Sequence, residues 1–304
     1  QKSELIESIL MGIPIPLMYL FEDKNGKKQV VDGRQRISAI LDFLEGKFKL
    51  NNLRILKQFN GCCFADLDLK QQGVIEDFQL LFYIIQPPTP ERVKYDIFDR
   101  VNRGGTPLNK QEMRNALYRG RCTRMLDKLC CSPEFLIATG RSINKERMKD
   151  QYVVLRAMAF LMLHRGEFKD IPALQYRGDI DDFLARFMVY VNDNAPEKLI
   201  VDYENLFIRC MQISYDLLGE NGFRFSGNGI RRPINMPLFE ALSYLFSFVP
   251  EKIDYTWASR LILDIESVKE EFDDSRYFSG NIDSTTSVSF RFDRMDKIRN
   301  RIQL

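Results

Sequence analysis

Apolar residues fall at helical spacing near the start of the chain, where Leu5, Ile6, Ile9 and Leu10 share one side of an amphipathic helix over Lys2–Met11. Gly12 stops that helix, and Pro14 and Pro16 hold the next stretch of backbone extended. The pattern then predicts a strand over Leu17–Glu22, a turn over Asp23–Lys28 and a second strand over Gln29–Val31 that runs into Asp32-Gly33. From Arg34 the spacing is helical again, with Ile37, Ile40, Leu41 and Leu44 on one face and Gly46 closing the segment. Short strands are expected around Phe48–Leu50, Arg54–Leu56 and Cys62–Phe64, then a helix over Leu69–Asp77 and a strongly apolar strand over Gln79–Ile85. Pro87-Pro88-Thr89-Pro90 breaks the chain, and helices are expected from Pro90 to Val101 and from Asn109 to Tyr118.

Beyond Arg121 almost every apolar pattern is helical, with polar loops near 140–145, 166–178, 219–235 and 273–287. The fold class read from this pattern is α+β: a small mixed-sheet domain over residues 1–120 followed by a mainly α-helical domain over 121–304. No internal repeat is visible.

Composition narrows the picture. With 304 residues, 45% hydrophobic and 28% charged, the chain reads as soluble and globular with ample core. Its longest apolar stretches, Met158–Leu163 and Leu242–Val249, fall well short of a membrane span, so no membrane partner is expected. The first residue is Gln1 and no signal peptide opens the sequence, so a fragment is expected. Six cysteines, two pairs of them vicinal (Cys62-Cys63 and Cys130-Cys131), suggest buried reduced thiols and a cytoplasmic location. The single histidine, His164, nearly excludes Ser-His-Asp, Cys-His and HNH-type nuclease chemistry. It ends an apolar helix, where a cap or helix-dipole partner is the expected role.

Net charge is only +2, but basic residues crowd Arg100–Lys128 against two acids, Glu112 and Asp127. Such a run is either an anion-binding face or a solvated helical surface, and the second reading suits its later members. Asn109 with Glu112 three residues on predicts a capping box at the start of one of these helices.

Two constellations carry candidate chemistry. In Val30-Val31-Asp32-Gly33-Arg34-Gln35-Arg36 a strand turns through glycine into a helix whose free N–H groups can receive an anion. Gly33 would let a phosphate approach the backbone, Arg34 and Arg36 would add charged forks, and Asp32 would cap the helix, hold Mg²⁺ or orient water. The same residues also fit an ordinary Asp-Gly turn with solvated arginines. In Phe98-Asp99-Arg100-Val101-Asn102-Arg103-Gly104-Gly105-Thr106-Pro107-Leu108-Asn109 a helix ends at a glycine corner, where Asn102 and Arg103 could meet a base, ribose or phosphate. Weaker candidates for phosphate or DNA contact are Arg114, Arg231, Arg232 and Arg291, with a surface or capping role favoured for the last three.

Taken with the segment Leu5–Pro16, these two motifs resemble the N-terminal domain family of GmrSD-type, modification-dependent restriction proteins, of the ParB/sulfiredoxin-like superfamily, over about residues 3–120. The resemblance implies an Asp-Gly-x-x-Arg site that binds, and often hydrolyses, a nucleoside triphosphate with Mg²⁺, in a protein that senses foreign or modified DNA. Asp32 and Arg36 would be the catalytic pair, with Gly33, Arg34, Gln35, Asn102, Arg103, Gly104 and Gly105 completing the nucleotide site. Relatives more often carry Gln where Arg34 stands, and usually have a further strand ahead of the first helix and often a fused nuclease domain downstream. Nucleotide, DNA and a separate or fused nuclease subunit are the partners it implies. A non-enzymatic DNA-binding or assembly module and a nuclease using the same motif are the alternatives.

Overall fold

The computed structural model describes residues 1–22, 26–86, 97, 108–225, 231–250, 255–273 and 275–301. These fall into two compact units, Gln1–Leu108 and Asn109–Leu304. The first unit opens with α1 (Lys2–Leu10), β1 (Met18–Glu22), β2 (Lys28–Asp32) and α2 (Arg34–Leu44), and continues with α3 (Leu69–Glu76) and β3 (Phe82–Ile85). The sheet order is β2-β1-β3, with β2 antiparallel and β3 parallel to β1, the small mixed sheet that the alternating period predicts. Tyr19 pairs with Asp32 and Leu20 with Val30, so Val31 is an extra residue that bulges β2 just before the turn.

The three helices share a core of Ile6, Ile9, Ile40, Phe43 and Ile75, closed by Leu50, Leu53 and Leu67 from the connecting loop. The face of α2 differs from the one expected. Ala39, Ile40 and Phe43 are buried while Leu41 is exposed. The largest ring decides the rotation, because Phe43 packs against Phe48 and Phe64 with centroids 5.4 and 6.1 Å away.

The strands expected around 48–50, 54–56 and 62–64 are not formed. Short 3₁₀ turns, Lys57–Phe59 and Phe64–Asp66, stand in this region. Glu7, buried on α1, accepts the backbone N–H groups of Ile55 and Leu56 at 2.8 and 2.7 Å and that of Arg54 at 3.3 Å, taking the donors a ladder would need. Those bonds hold the Glu7 carboxyl below its ordinary range, the one from Leu56 most of all. The helix expected from Pro90 to Val101 lies outside the described residues, apart from residue 97.

The second unit is helical throughout: α4 (Lys110–Leu117), α5 (Arg121–Cys130), α6 (Pro133–Ala138), α7 (Lys149–His164), α8 (Ile180–Asp193), α9 (Glu197–Leu218), α10 (Met236–Phe246), α11 (Tyr255–Asp273), α12 (Arg276–Ser279) and α13 (Thr285–Arg301). α4 packs within this unit, so the chain divides at Leu108 and Asn109, ahead of the residue-120 boundary drawn from the sequence pattern. α7 is the central rod. Val153 to Met162 is buried without a break, and α5, α8 and α10 pack around it. The aromatic positions Phe239, Tyr244 and Phe246 lie in this core, as expected.

Charge is built into that core. Arg156 of α7 pairs with Glu240 of α10 and, at 2.7 Å, with Asp283; Arg291 of α13 reaches the other Glu240 oxygen at 3.2 Å. All six cysteines are free thiols; Cys122, Cys130 and Cys210 are buried, Cys62 and Cys63 partly so, whereas Cys131 is exposed, against the expectation that all would be buried. Among the described residues no helix is long and apolar enough to cross a membrane.

Candidate functional site

The Asp32–Arg36 turn is built by backbone geometry first. Gly33 has φ 96°, a left-handed conformation that glycine adopts freely, and it swings the chain from the end of β2 into the first turn of α2. A Cβ there would meet Cγ and Sδ of Met18 at 2.5 and 2.6 Å. The space that glycine leaves is therefore filled by Met18, where the sequence reading had it open to a phosphate.

Arg36 is the knot of the site. One guanidinium nitrogen donates to the Pro16 carbonyl and another to the Asp32 carboxylate, and both side chains are about three-quarters buried, at 22% and 27% exposed. One side chain thus ties the extended Pro14–Pro16 segment, the end of β2 and the first turn of α2. Arg34 and Gln35 stand exposed on that same first turn. The first helical bond runs from the Ile37 N–H to the Gly33 carbonyl at 2.8 Å, so the N–H groups of Arg34, Gln35 and Arg36 precede the intrahelical ladder. The divergence of Arg34 and Arg36 follows from their two-residue spacing on a helix.

Mg²⁺ is commonly held by one or two carboxylates together with phosphate oxygens and water. Asp32 supplies one carboxylate, already engaged by Arg36, and among the described residues no three His, Cys, Asp or Glu side chains cluster as a metal cage. The donor set therefore fits Mg²⁺ only with phosphates as co-ligands. Asn102, Arg103, Gly104 and Gly105, and with them the expected facing of Arg36 and Asn102, lie outside the described residues.

The weaker candidates are placed as follows. Arg291 is fully buried, donating to the Ile282 carbonyl at 2.6 Å and to Glu240, so it serves the core rather than a DNA backbone. Arg231 pairs with Glu220 at 2.8 Å, and Arg232 pairs with Asp273 and lies over the Phe225 ring. Arg114 is buried and pairs with Asp181 at 2.8 Å. Of the basic run, Lys110 pairs with Asp181, Arg121 with Glu197, and Lys128 with Glu204. The capping box forms as expected: Asn109 accepts from the Gln111 and Glu112 N–H groups at 2.8 and 2.9 Å, and Glu112 accepts from the Asn109 N–H at 2.7 Å.

His164 is no cationic cap. Its ring stacks on Phe292 with centroids 3.5 Å apart and planes 9° from parallel. Burial, with help from the Arg291 charge, pushes its pKa down to about 3. It is a neutral, partly buried aromatic stacked on the core ring of Phe292. Sequence reasoning missed the Pro16 carbonyl and Met18 as parts of the turn, since neither an apolar side chain nor a backbone oxygen leaves a signal that marks such a role.

Residues 1–119, which hold this turn and helix α4, match the family described as the GmrSD restriction endonuclease N-terminal domain. No curated protein and no solved structure matches the chain.

Proposed function

We propose, from an N-terminal segment that matches the GmrSD restriction endonuclease N-terminal domain, that this chain is the nucleotide-responsive component of a DNA-restriction system. It binds a nucleoside triphosphate at the Asp32–Arg36 turn and hydrolyses it, acting together with DNA and a nuclease module. The observation that carries this reading is the Asp32–Arg36 pair, set beside the N-terminus of α2 with Arg34 and Gln35 exposed on the same turn. Free N–H groups and the positive end of a helix favour an incoming phosphate, and Arg34 adds an open guanidinium to receive it.

The pair supports a mechanism of exchange. Asp32 and Arg36 neutralise one another before ligand arrives, which leaves Arg34 as the open charge of the turn. With nucleotide bound, Arg36 would turn its fork to phosphate oxygens, and Asp32 would then be the carboxylate free to hold Mg²⁺ or to orient water. Bound Mg²⁺ would neutralise charge on the phosphates, the usual electrostatic contribution to phosphoryl transfer. Gly33 keeps the turn and Pro16 keeps the Arg36 side chain in register.

Calorimetric titration of the full chain with ATP and GTP in Mg²⁺ tests the reading. Arg34→Ala should weaken triphosphate binding by about ten- to a hundredfold, the loss expected for one charge-assisted contact worth about 1.5–3 kcal/mol. Arg36→Ala should lose at least as much, with a thermal melt alongside because it also frees Pro16. Arg124→Ala, on the exposed side of α5, should bind as wild type. Wild-type affinity in both Arg34→Ala and a folded Arg36→Ala would sink the assignment.

A further inference from the structure

In the second unit the N-terminal ends of α4 and α7 border one cleft of about 500 Å³. Asn109 ties the two ends together, capping α4 with its side-chain oxygen and donating its amide to the Arg147 carbonyl at 2.7 Å. α7 starts after two consecutive left-handed residues, Arg147 at φ 56° and Met148 at φ 58°, and among the described residues no side chain caps it. Neither residue is glycine, so the surrounding structure must hold this conformation against its steric cost.

Lys110, Arg114, Arg147 and Lys149 line the cleft against one acid of the lining, Glu146. The acids behind the wall offset this only in part. Asp181 is shared by Lys110 and Arg114, Glu112 serves Arg147, and Lys149 has no acidic partner among the described residues. Arg114 is one of four arginines with a buried nitrogen that lacks a partner among the described residues, and the one of them that lines this cleft. It is fully buried, its Nε donates to Gln111 at 3.0 Å and its Nη1 to Asp181 at 2.8 Å, and its guanidinium lies 5.1 Å from the centre of the Tyr152 ring. Its Nη2 has no acceptor among the described residues. Buried polar groups are almost always paired, and a charged one left unpaired demands a partner from elsewhere.

We infer that this cleft is a phosphate-ester site distinct from the α2 turn. A phosphate oxygen accepts from Arg114 Nη2, reaching it as the Tyr152 ring over the guanidinium swings aside, and Lys110 and Lys149 flank the anion. An arginine fork suits phosphate geometry, and a cleft of this size exceeds what a lone anion needs, leaving room for a sugar or base beside Tyr152. The ester comes either from a nucleotide or from a DNA backbone.

The full chain is titrated with adenosine monophosphate by calorimetry and with a short labelled DNA duplex by anisotropy at fixed salt. Lys149→Glu and Arg114→Lys should weaken one of these probes by about tenfold or more. Lys169→Glu, an exposed lysine outside the lining, should leave that probe unchanged. Loss of the monophosphate assigns the cleft to a nucleotide; loss of the duplex alone assigns it to a phosphodiester backbone. Wild-type binding of both probes by Lys149→Glu overturns the inference, as does an equal loss in Lys169→Glu. A loss in Arg34→Ala without one in Lys149→Glu also overturns it and leaves the α2 reading standing.

Discussion

A histidine in the last turn of a helix gains from the helix dipole only as a cation, and the surroundings of His164 withhold the proton. The ring lies flat on Phe292 and edge-on to Tyr244, with Arg291 adding an unfavourable charge. Because the folded pKa, about 3, is below the unfolded value of 6.5, the unfolded chain takes the proton first as pH falls. Stability is therefore full above about pH 6.5 and should decline below it, this residue alone contributing a slope approaching about 1.4 kcal/mol per pH unit. Urea unfolding at pH 7, 6 and 5 checks this against His164→Phe, which keeps the stack and should remove that share of the slope. Identical slopes in the two proteins would count against it. Gly33 teaches the same lesson in another form: its turn is read from the sequence and its φ of 96° favours glycine, but the Met18 side chain packed against it is visible only in three dimensions.

At the scale of elements, most helices announce themselves. The capping box at Asn109 and the spans of α1 and α2 are legible because they depend on neighbours within one turn, whereas the face α2 buries is not. The expected strand at 54–56 fails because its N–H groups are claimed by Glu7, more than 45 residues away along the chain. Long-range chemistry of that kind also joins α7, α10 and α13 through Arg156, Glu240 and Arg291. Removing one member of a buried charge cluster leaves the others unpaired, so Glu240→Gln should destabilise the chain by about 3–5 kcal/mol. Chemical denaturation gives the value, and a change below about 1 kcal/mol, the range of surface ion pairs, would show that the cluster is not coupled in this way.

For the molecule as a whole, the matched segment ends within reach of the structural division: residues 1–119 match one family, while the compact units part at Leu108 and Asn109. The last matched helix, α4, thus packs inside the helical unit and lines its cationic cleft. With His164 stacked on Phe292 and held neutral, the chain's single imidazole is no general base for phosphodiester cleavage. Plasmid incubated with this chain, Mg²⁺ or Mn²⁺ and each nucleoside triphosphate should therefore stay supercoiled. Nicking that vanishes in Asp32→Ala would reverse that conclusion and make the Asp-Gly-x-x-Arg turn a nuclease site.

The sequence by itself determined the α+β order of the chain, the strand-glycine-helix junction at Asp32–Arg36, the cap at Asn109 and the family of the N-terminal segment. Each rests on residues close together in the chain, where period, turn chemistry and motif spacing act. Tertiary structure alone decided which charges are spent. Arg36 is spent on Pro16 and Asp32, and the two Nη atoms of Arg291 on Ile282 and Glu240, while Arg114 keeps one Nη unpaired and lines a cleft. An arginine's sequence neighbours say little about this, because the cost of burying charge is met by whichever carboxylate or carbonyl the fold brings within about 3 Å, from any distance along the chain.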